Sequence, residues 1–303
     1  MFPGTLLRVC LLKLVVILAA TVSAFAESPS AIEILQQKTL TRIQALNDSI
    51  DGVLGVYAID LATGQSLAFH SGTVFATAST IKIPILIQMF KAARAGQFKM
   101  TDRMTIQPSE TVGGSGHLQT LLRSGPVTLT VKELITAMIE TSDNTATNKC
   151  ISMVGIDNVN RTLDELGMRS TRLQRKMLDT AASKADRENI STPSEMARLA
   201  ELIYRGKAVD AEASREMIEI LKLVDADIRK VIPDNIDVAS KPGELTGVRC
   251  ETAIVFLKKH PFVVTVNSTF IKPGTDPVPD AARIVFEYFE KLEASNRYGN
   301  KIQ

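Results

Sequence analysis

Ser79-Thr80-Ile81-Lys82 sets a hydroxyl and an amine three residues apart, just after a strand-like segment and a loop. On a helix such residues share a face, so the Lys82 amine stands beside the Ser79 oxygen, able to take its proton or stabilise the alkoxide. A lone serine hydroxyl is inert near neutral pH, and an adjacent base is how proteins activate it. Taken in isolation, the stretch reads as an ordinary helix start, with Ser79 as N-cap and Lys82 in water, and only the rest of the chain overturns that reading. Pro84 follows closely, and inside a helix proline removes a backbone donor and crowds the preceding turn. An irregular helix opening is therefore predicted. Ser79 would sit at a strained start, where unpaired N–H groups and the positive end of the dipole favour a developing oxyanion.

Around this stretch the chain has a clear order. Residues 30–48 carry Ile32, Ile34, Leu35, Leu40, Ile43 and Leu46 at helical spacing. Strand patterns follow at 53–59 and 66–70, flanking Asp60-Leu61-Ala62-Thr63-Gly64, whose Gly and Asx content suits a hairpin turn. Helical segments dominate 80–225. Strands return at Ile236–Ser240, Thr252–Leu257 and Phe262–Val266, before a closing helix near 279–294. Strands at both ends have to pair to hide their edges. The expected fold is α+β: an antiparallel sheet built from both termini and packed with helices, an α/β/α sandwich, with an all-helical lobe over roughly 80–225.

Residues 1–26 read as a signal peptide: Arg8 and Lys13, an apolar run from Leu14 through Ala20, then the small-x-small pattern Ala24-Phe25-Ala26. The apolar run is shorter than the ~20 residues of a spanning helix, so no stable membrane insertion is expected after cleavage. Cys10 precedes the apolar core, which argues against a lipid anchor. The reading is a mature domain, 27–303, that is periplasmic or secreted. Cleavage removes two cations and turns 35 basic against 33 acidic residues into 33 against 33. Such a surface does not suit nucleic acid. Cys150 and Cys250 are expected as buried free thiols, and the chain as a monomer. His70, His117 and His260 lie far apart without paired ligand spacing, so no metal or other cofactor is expected.

Two further motifs complete the pattern. Ser142-Asp143-Asn144 alone is a common cap or turn, and Lys241-Pro242-Gly243, read at the end of a late strand, alone is a turn. In this order, at separations of 63 and 99 residues, the three elements resemble the serine penicillin-recognising enzymes, specifically the class A β-lactamase family. The similarity runs over most of the mature chain. Phe75 to Lys82 looks like the nucleophile helix start, Thr141 to Asn148 like the middle motif, and Thr171-Arg172-Leu173 with Ser191-Thr192-Pro193 like the borders of the family's omega loop.

The resemblance implies roles. Ser79 would open a β-lactam and form an acyl-enzyme, Lys82 would exchange its proton, and Ser142 would pass a proton to the departing nitrogen. Asn144 would bind the substrate's amide side chain, and Lys241 its carboxylate. The N–H groups of Ser79 and Glu244, next to Gly243, would form the oxyanion hole, where one donor is typically worth ~3 kcal/mol. Gly113 to His117 would form a flexible loop at the cleft mouth.

Two departures bear on function. Pro242 stands where the family has a hydroxyl residue, so Arg249 or Thr246 is a candidate replacement for the carboxylate contact. Met177 falls where the family carries the glutamate that activates water, and a thioether accepts no proton. Asp179 and Glu188 are then the candidate deacylation bases, Asp179 alternatively a loop anchor paired with Arg175. Asn189 occupies the expected acidic position opposite Arg175 and would brace the loop more weakly. The readings that follow are a serine β-lactamase, a D-alanyl-D-alanine peptidase-like hydrolase, and a penicillin-binding sensor that stays acylated.

Overall fold

The structure is a computed structural model that describes residues 29–301. The expected signal peptide, 1–26, lies outside the described residues. Helix α1 (Ala31–Ser49) leads into the hairpin of β1 (Val53–Asp60) and β2 (Ser66–Phe69), then the short β3 (Phe75–Ala76). A 3₁₀ turn, Ala78–Ile81, opens α2 (Lys82–Arg94), and β4 (Arg103–Ile106), α3 (Leu118–Leu121) and β5 (Val127–Thr130) come next. Helices α4 (Val131–Glu140), α5 (Asn144–Val154), α6 (Ile156–Glu165) and α7 (Thr180–Lys184) precede β6 (Ile190–Ser191). Then come α8 (Pro193–Tyr204), α9 (Ala211–Lys222) and α10 (Asp227–Val231), strands β7 (Val238–Leu245), β8 (Val248–Val255) and β9 (Phe262–Thr269), and α11 (Val278–Glu293).

The main sheet has the order β2-β1-β9-β8-β7, antiparallel throughout, so strands from the two ends of the chain pair through β1 and β9. Both faces are covered, which is why β9 is buried along almost its whole length. Phe262, Val264 and Val266 meet α1 and α11 on one face, with Phe262 stacked on Phe289 at 4.1 Å between centroids. Val263 and Ile254 face the second core with α2, α4, α5 and α8. Each core residue contributes about 1.5–3 kcal/mol of transfer free energy relative to exposure.

Local chemistry explains the helix boundaries. Ser30 and Glu33 form a reciprocal capping box at α1, and Thr130 and Glu133 do the same at α4. Of the expected α1 stripe, Ile43 is fully buried, whereas Ile34 points to solvent. Pro84 leaves α2 intact because it sits in the first turn, where its N–H would have no helical partner. The irregularity falls earlier, in the 3₁₀ turn, where Ala78 takes φ +44°, a region that costs a non-glycine residue free energy.

Two expectations need correction. The inserted lobe is not all helical, since β4 pairs with β5 inside its span, and β6 within it pairs with β3 just before it. Lys241-Pro242-Gly243 lies in the interior of β7, not at a strand end. Proline is tolerated there because β7 is an edge strand of the sheet. Cys150 and Cys250 are buried free thiols. Among the described residues, no helix is long and apolar enough to cross a membrane, and no group of three or more His, Cys, Asp or Glu is arranged to hold a metal ion.

Candidate active site

The centre of the site is built from two buried lysines that share one serine. Lys82 Nζ donates to the Ser142 carbonyl at 2.7 Å, to Ser142 Oγ at 2.9 Å and to Asn144 Oδ1 at 3.2 Å. Lys241 Nζ donates to the same Ser142 Oγ at 3.1 Å and to the Pro242 carbonyl at 3.1 Å. Both lysines are fully buried. Burial, and after it the neighbouring Lys241 charge, hold Lys82 well below the usual lysine range, with Asp143 opposing. Burial likewise pushes Lys241 down to about 8, against the pull of Glu251. With its lone pairs facing two amines, Ser142 Oγ is left to donate its own proton elsewhere.

Backbone geometry makes this convergence possible. Ser142 adopts φ +54°, which turns its carbonyl and hydroxyl together toward Lys82. Asp143 then caps α5 through Ala146 N at 2.9 Å and takes Leu118 N at 2.8 Å. Gly116, at φ +102°, passes so close that a Cβ there would lie 2.1 Å from Asp143 Oδ2. Asn144 N bonds Ser115 O at 3.2 Å, and its Nδ2 bonds Gly113 O at 3.0 Å. The 113–117 loop is thus tied to the middle motif, and Asn144 Oδ1 is committed to Lys82. His117 is exposed and is not among the cleft-lining residues.

Ser79 lies in the 3₁₀ turn and lines a cleft of about 250 Å³ together with Ser115, Ser142, Gly243, Glu244 and Arg249. A Cβ on Gly243 would meet Ser79 N at 2.7 Å and Thr77 O at 2.9 Å, so β7 runs hard against the 3₁₀ turn that carries Ser79. That contact sets the Ser79 N–H beside the strand, one residue before Glu244, as an oxyanion hole requires. Beneath it, Cys250 Sγ donates to Thr77 O at 3.0 Å, and burial pushes the thiol up to about 12. Cys250 is packing, not a nucleophile. Arg249 reaches the cleft but is paired with Glu244, directly opposite on β7, at 2.6 Å. Thr246 sits in the exposed turn between β7 and β8, away from the cleft.

The 171–192 loop is closed at its base, where Thr171 Oγ1 and Ser191 Oγ lie 2.7 Å apart, and Thr77 N bonds Asn189 O at 2.9 Å. The expected arginine brace takes a different form. Glu188, not Asn189 or Asp179, pairs with Arg175, at 2.6 Å to Nη2 and 2.8 Å to Nε. Asn189 instead braces backbone, accepting from Gln174 N at 2.7 Å and Arg175 N at 3.0 Å. The acidic partner has moved by one residue, and a glutamate is long enough to reach back. Asp179 is exposed and caps α7 through Ala182 N at 2.9 Å. Met177 is buried, its backbone clamped by Asn148 at 2.7 and 3.1 Å. None of Met177, Asp179 and Glu188 lines the cleft.

The sequence reading passed over Glu251. It is buried in β8, lines the cleft, accepts from Ile228 N at 3.1 Å, and burial pushes it up to about 8. The signal was available: one glutamate beside Thr252-Ala253-Ile254-Val255 is anomalous in a strand buried on both faces.

A sheet drawn from both termini, a mainly helical lobe and a two-lysine serine cleft between them define the β-lactamase-like fold. The chain belongs to the beta-lactamase enzyme family, whose model matches residues 38–289. It is 28% identical to beta-lactamase Toho-1 of Escherichia coli over 233 residues, 75% of this chain and 79% of that one. It is 25% identical to beta-lactamase 3 of Bacillus cereus over 256 residues, 80% and 78% of the two chains. The crystal structure of a beta-lactamase from Sphaerobacter thermophilus superposes with a TM-score of 0.76 at 28% identity, covering 84% of this chain and 97% of that one. A PBP-A variant in an acyl-enzyme complex with penicillin G gives 0.76 at 25% identity, covering 88% and 100%.

Proposed function

We propose that this protein is an exported, monomeric serine hydrolase that takes β-lactams as acylating substrates on Ser79 and hydrolyses the resulting ester slowly. The observation that carries this reading is Ser142 Oγ held between two buried lysines in the cleft that Ser79 lines. Ser79 Oγ attacks the lactam carbonyl as its proton passes to the neutral Lys82 amine, and the C–N bond breaks as Ser142 delivers a proton to nitrogen. Lys82 then passes the proton it took from Ser79 to Ser142, 2.9 Å away. Depressing the lysine pKa by burial is what lets an amine serve as base near neutral pH. The N–H groups of Ser79 and Glu244 would hold the oxyanion, and Lys241 the substrate carboxylate.

Hydrolysis needs a group that activates water at the ester. Met177 occupies the region where the resemblance puts a glutamate, while Asp179 and Glu188 are engaged elsewhere. The PBP-A variant solved as a penicillin G acyl-enzyme supports the acylation step. Mixing the protein with a chromogenic cephalosporin while intact-mass spectrometry follows Ser79 tests this. A burst with a persistent adduct, absent in Ser79→Ala, is expected. Fast steady turnover would overturn slow hydrolysis, and no adduct would overturn the acylation itself.

A further inference from the structure

Thr77 is fully buried, stands one residue before the left-handed Ala78, and does not line the cleft. Its polar atoms are bound from two parts of the fold. The N–H and Oγ1 both donate to Asn189 O, at 2.9 and 3.0 Å. The carbonyl collects three donors: Thr80 Oγ1 at 2.7 Å, Thr80 N at 2.9 Å and Cys250 Sγ at 3.0 Å. The peptide leading into Ala78 is therefore fixed from the end of the 171–192 loop and from β8. Ala78 takes φ +44°, a conformation that persists at a non-glycine residue only where the surroundings over-determine it. Ser79 N comes next, against Gly243.

The Thr77 hydroxyl is not needed to satisfy its acceptor. Asn189 O already receives the Thr77 N–H, and valine would fill nearly the same volume without leaving that oxygen empty. What Oγ1 adds is a second bond to one oxygen, at the point where the β3–β6 ladder ends and the 3₁₀ turn begins. We infer that Thr77 is a positioning residue: forked onto Asn189 O and held through its carbonyl by Cys250, it keeps Ala78 left-handed and so aims the Ser79 N–H and Oγ for acylation. The inference rests on the proposed acylation of Ser79 and adds a residue that acts on it from outside the cleft. Losing an oxyanion donor outright costs about 100- to 1,000-fold in rate, so a turn slackened by one hydrogen bond should cost less.

The test follows Ser79 adduct formation by intact mass over a range of cephalosporin concentrations, which separates the limiting rate constant from the half-saturating concentration. Thr77→Val should lower the limiting rate about 10-fold with half-saturation unchanged, and Thr77→Ser, which keeps the hydroxyl, should recover it to within about twofold. Cys250→Ala frees the same carbonyl from the β8 side and should cost about threefold. A threonine that only packs would lower the unfolding temperature and leave the limiting rate alone. That result in Thr77→Val, or a change confined to half-saturation, would overturn the inference while leaving the acylation reading standing. Should Thr77→Val fail to fold, the Cys250→Ala rate decides in its place, and an unchanged limiting rate there overturns the inference. Failure of the unaltered protein to form a Ser79 adduct would overturn the acylation reading and this inference with it.

Discussion

The two-lysine centre and the 171–192 loop are both dense in hydrogen bonds, yet the bonds serve different ends. Around Lys82 and Lys241 they converge on the Ser142 side chain, in a site buried enough to shift lysine pKa values. Around Met177 they run mostly to backbone: Asn148 clamps one peptide, Asn189 another, and the one buried ion pair, Arg175–Glu188, braces the loop. The loop is closed at its base by Thr171 and Ser191, while the thioether at its centre accepts no proton. On the proposed function, forming and hydrolysing an acyl-enzyme would rest on separable parts of the molecule.

Restoring a carboxylate is the strongest way to break that contrast. Met177→Glu should speed loss of the Ser79 adduct about 100-fold, the usual scale of a positioned general base, with thermal unfolding confirming that the buried site accepts the change. An unaltered adduct lifetime in a folded variant would show that the loop's position, not its missing acid, limits hydrolysis.

The lysine side of the comparison is sharpened by pH. Lys241 is pushed down to about 8, so its ammonium is present below that pH and lost above it. Acylation by an anionic β-lactam should therefore fall up to about tenfold per pH unit beyond it. A stopped-flow profile from pH 6 to 10 checks this, and a profile flat to pH 10 would remove Lys241 from substrate binding. The smallest effect belongs to the brace. Glu188→Gln should lower stability by about 1–2 kcal/mol, because Arg175 is buried and loses its charged partner. Chemical denaturation measures that, while adduct formation should persist.

Much of the fold was legible because it rests on local pattern. The α1 stripe, the β1–β2 hairpin around Asp60-Leu61-Ala62-Thr63-Gly64, and α11 follow from periodicity and turn chemistry that neighbouring residues carry by themselves. The three motifs were legible through their joint order. Less accessible were features set by distant pairing. Lys241-Pro242-Gly243 read as a turn until β8 supplied a partner strand for every residue of it. Glu188 and Asn189 are adjacent, and which of them meets Arg175 depends on how the loop folds back across 13 or 14 residues.

What the sequence determined by itself is the chemical inventory and its order: a serine and lysine one turn apart, a second serine, a second lysine, and a methionine where the family resemblance puts an acid. Only the tertiary structure decided how those groups behave. It buried two lysines against one hydroxyl, set Gly243 against the 3₁₀ turn that carries Ser79, spent Arg249 on Glu244, and gathered Asp225, Asp227, Asp276 and Glu251 from three separate segments into one end of the cleft. Acidity, pairing and access depend on burial and on neighbours brought from far along the chain, and spacing in sequence encodes neither.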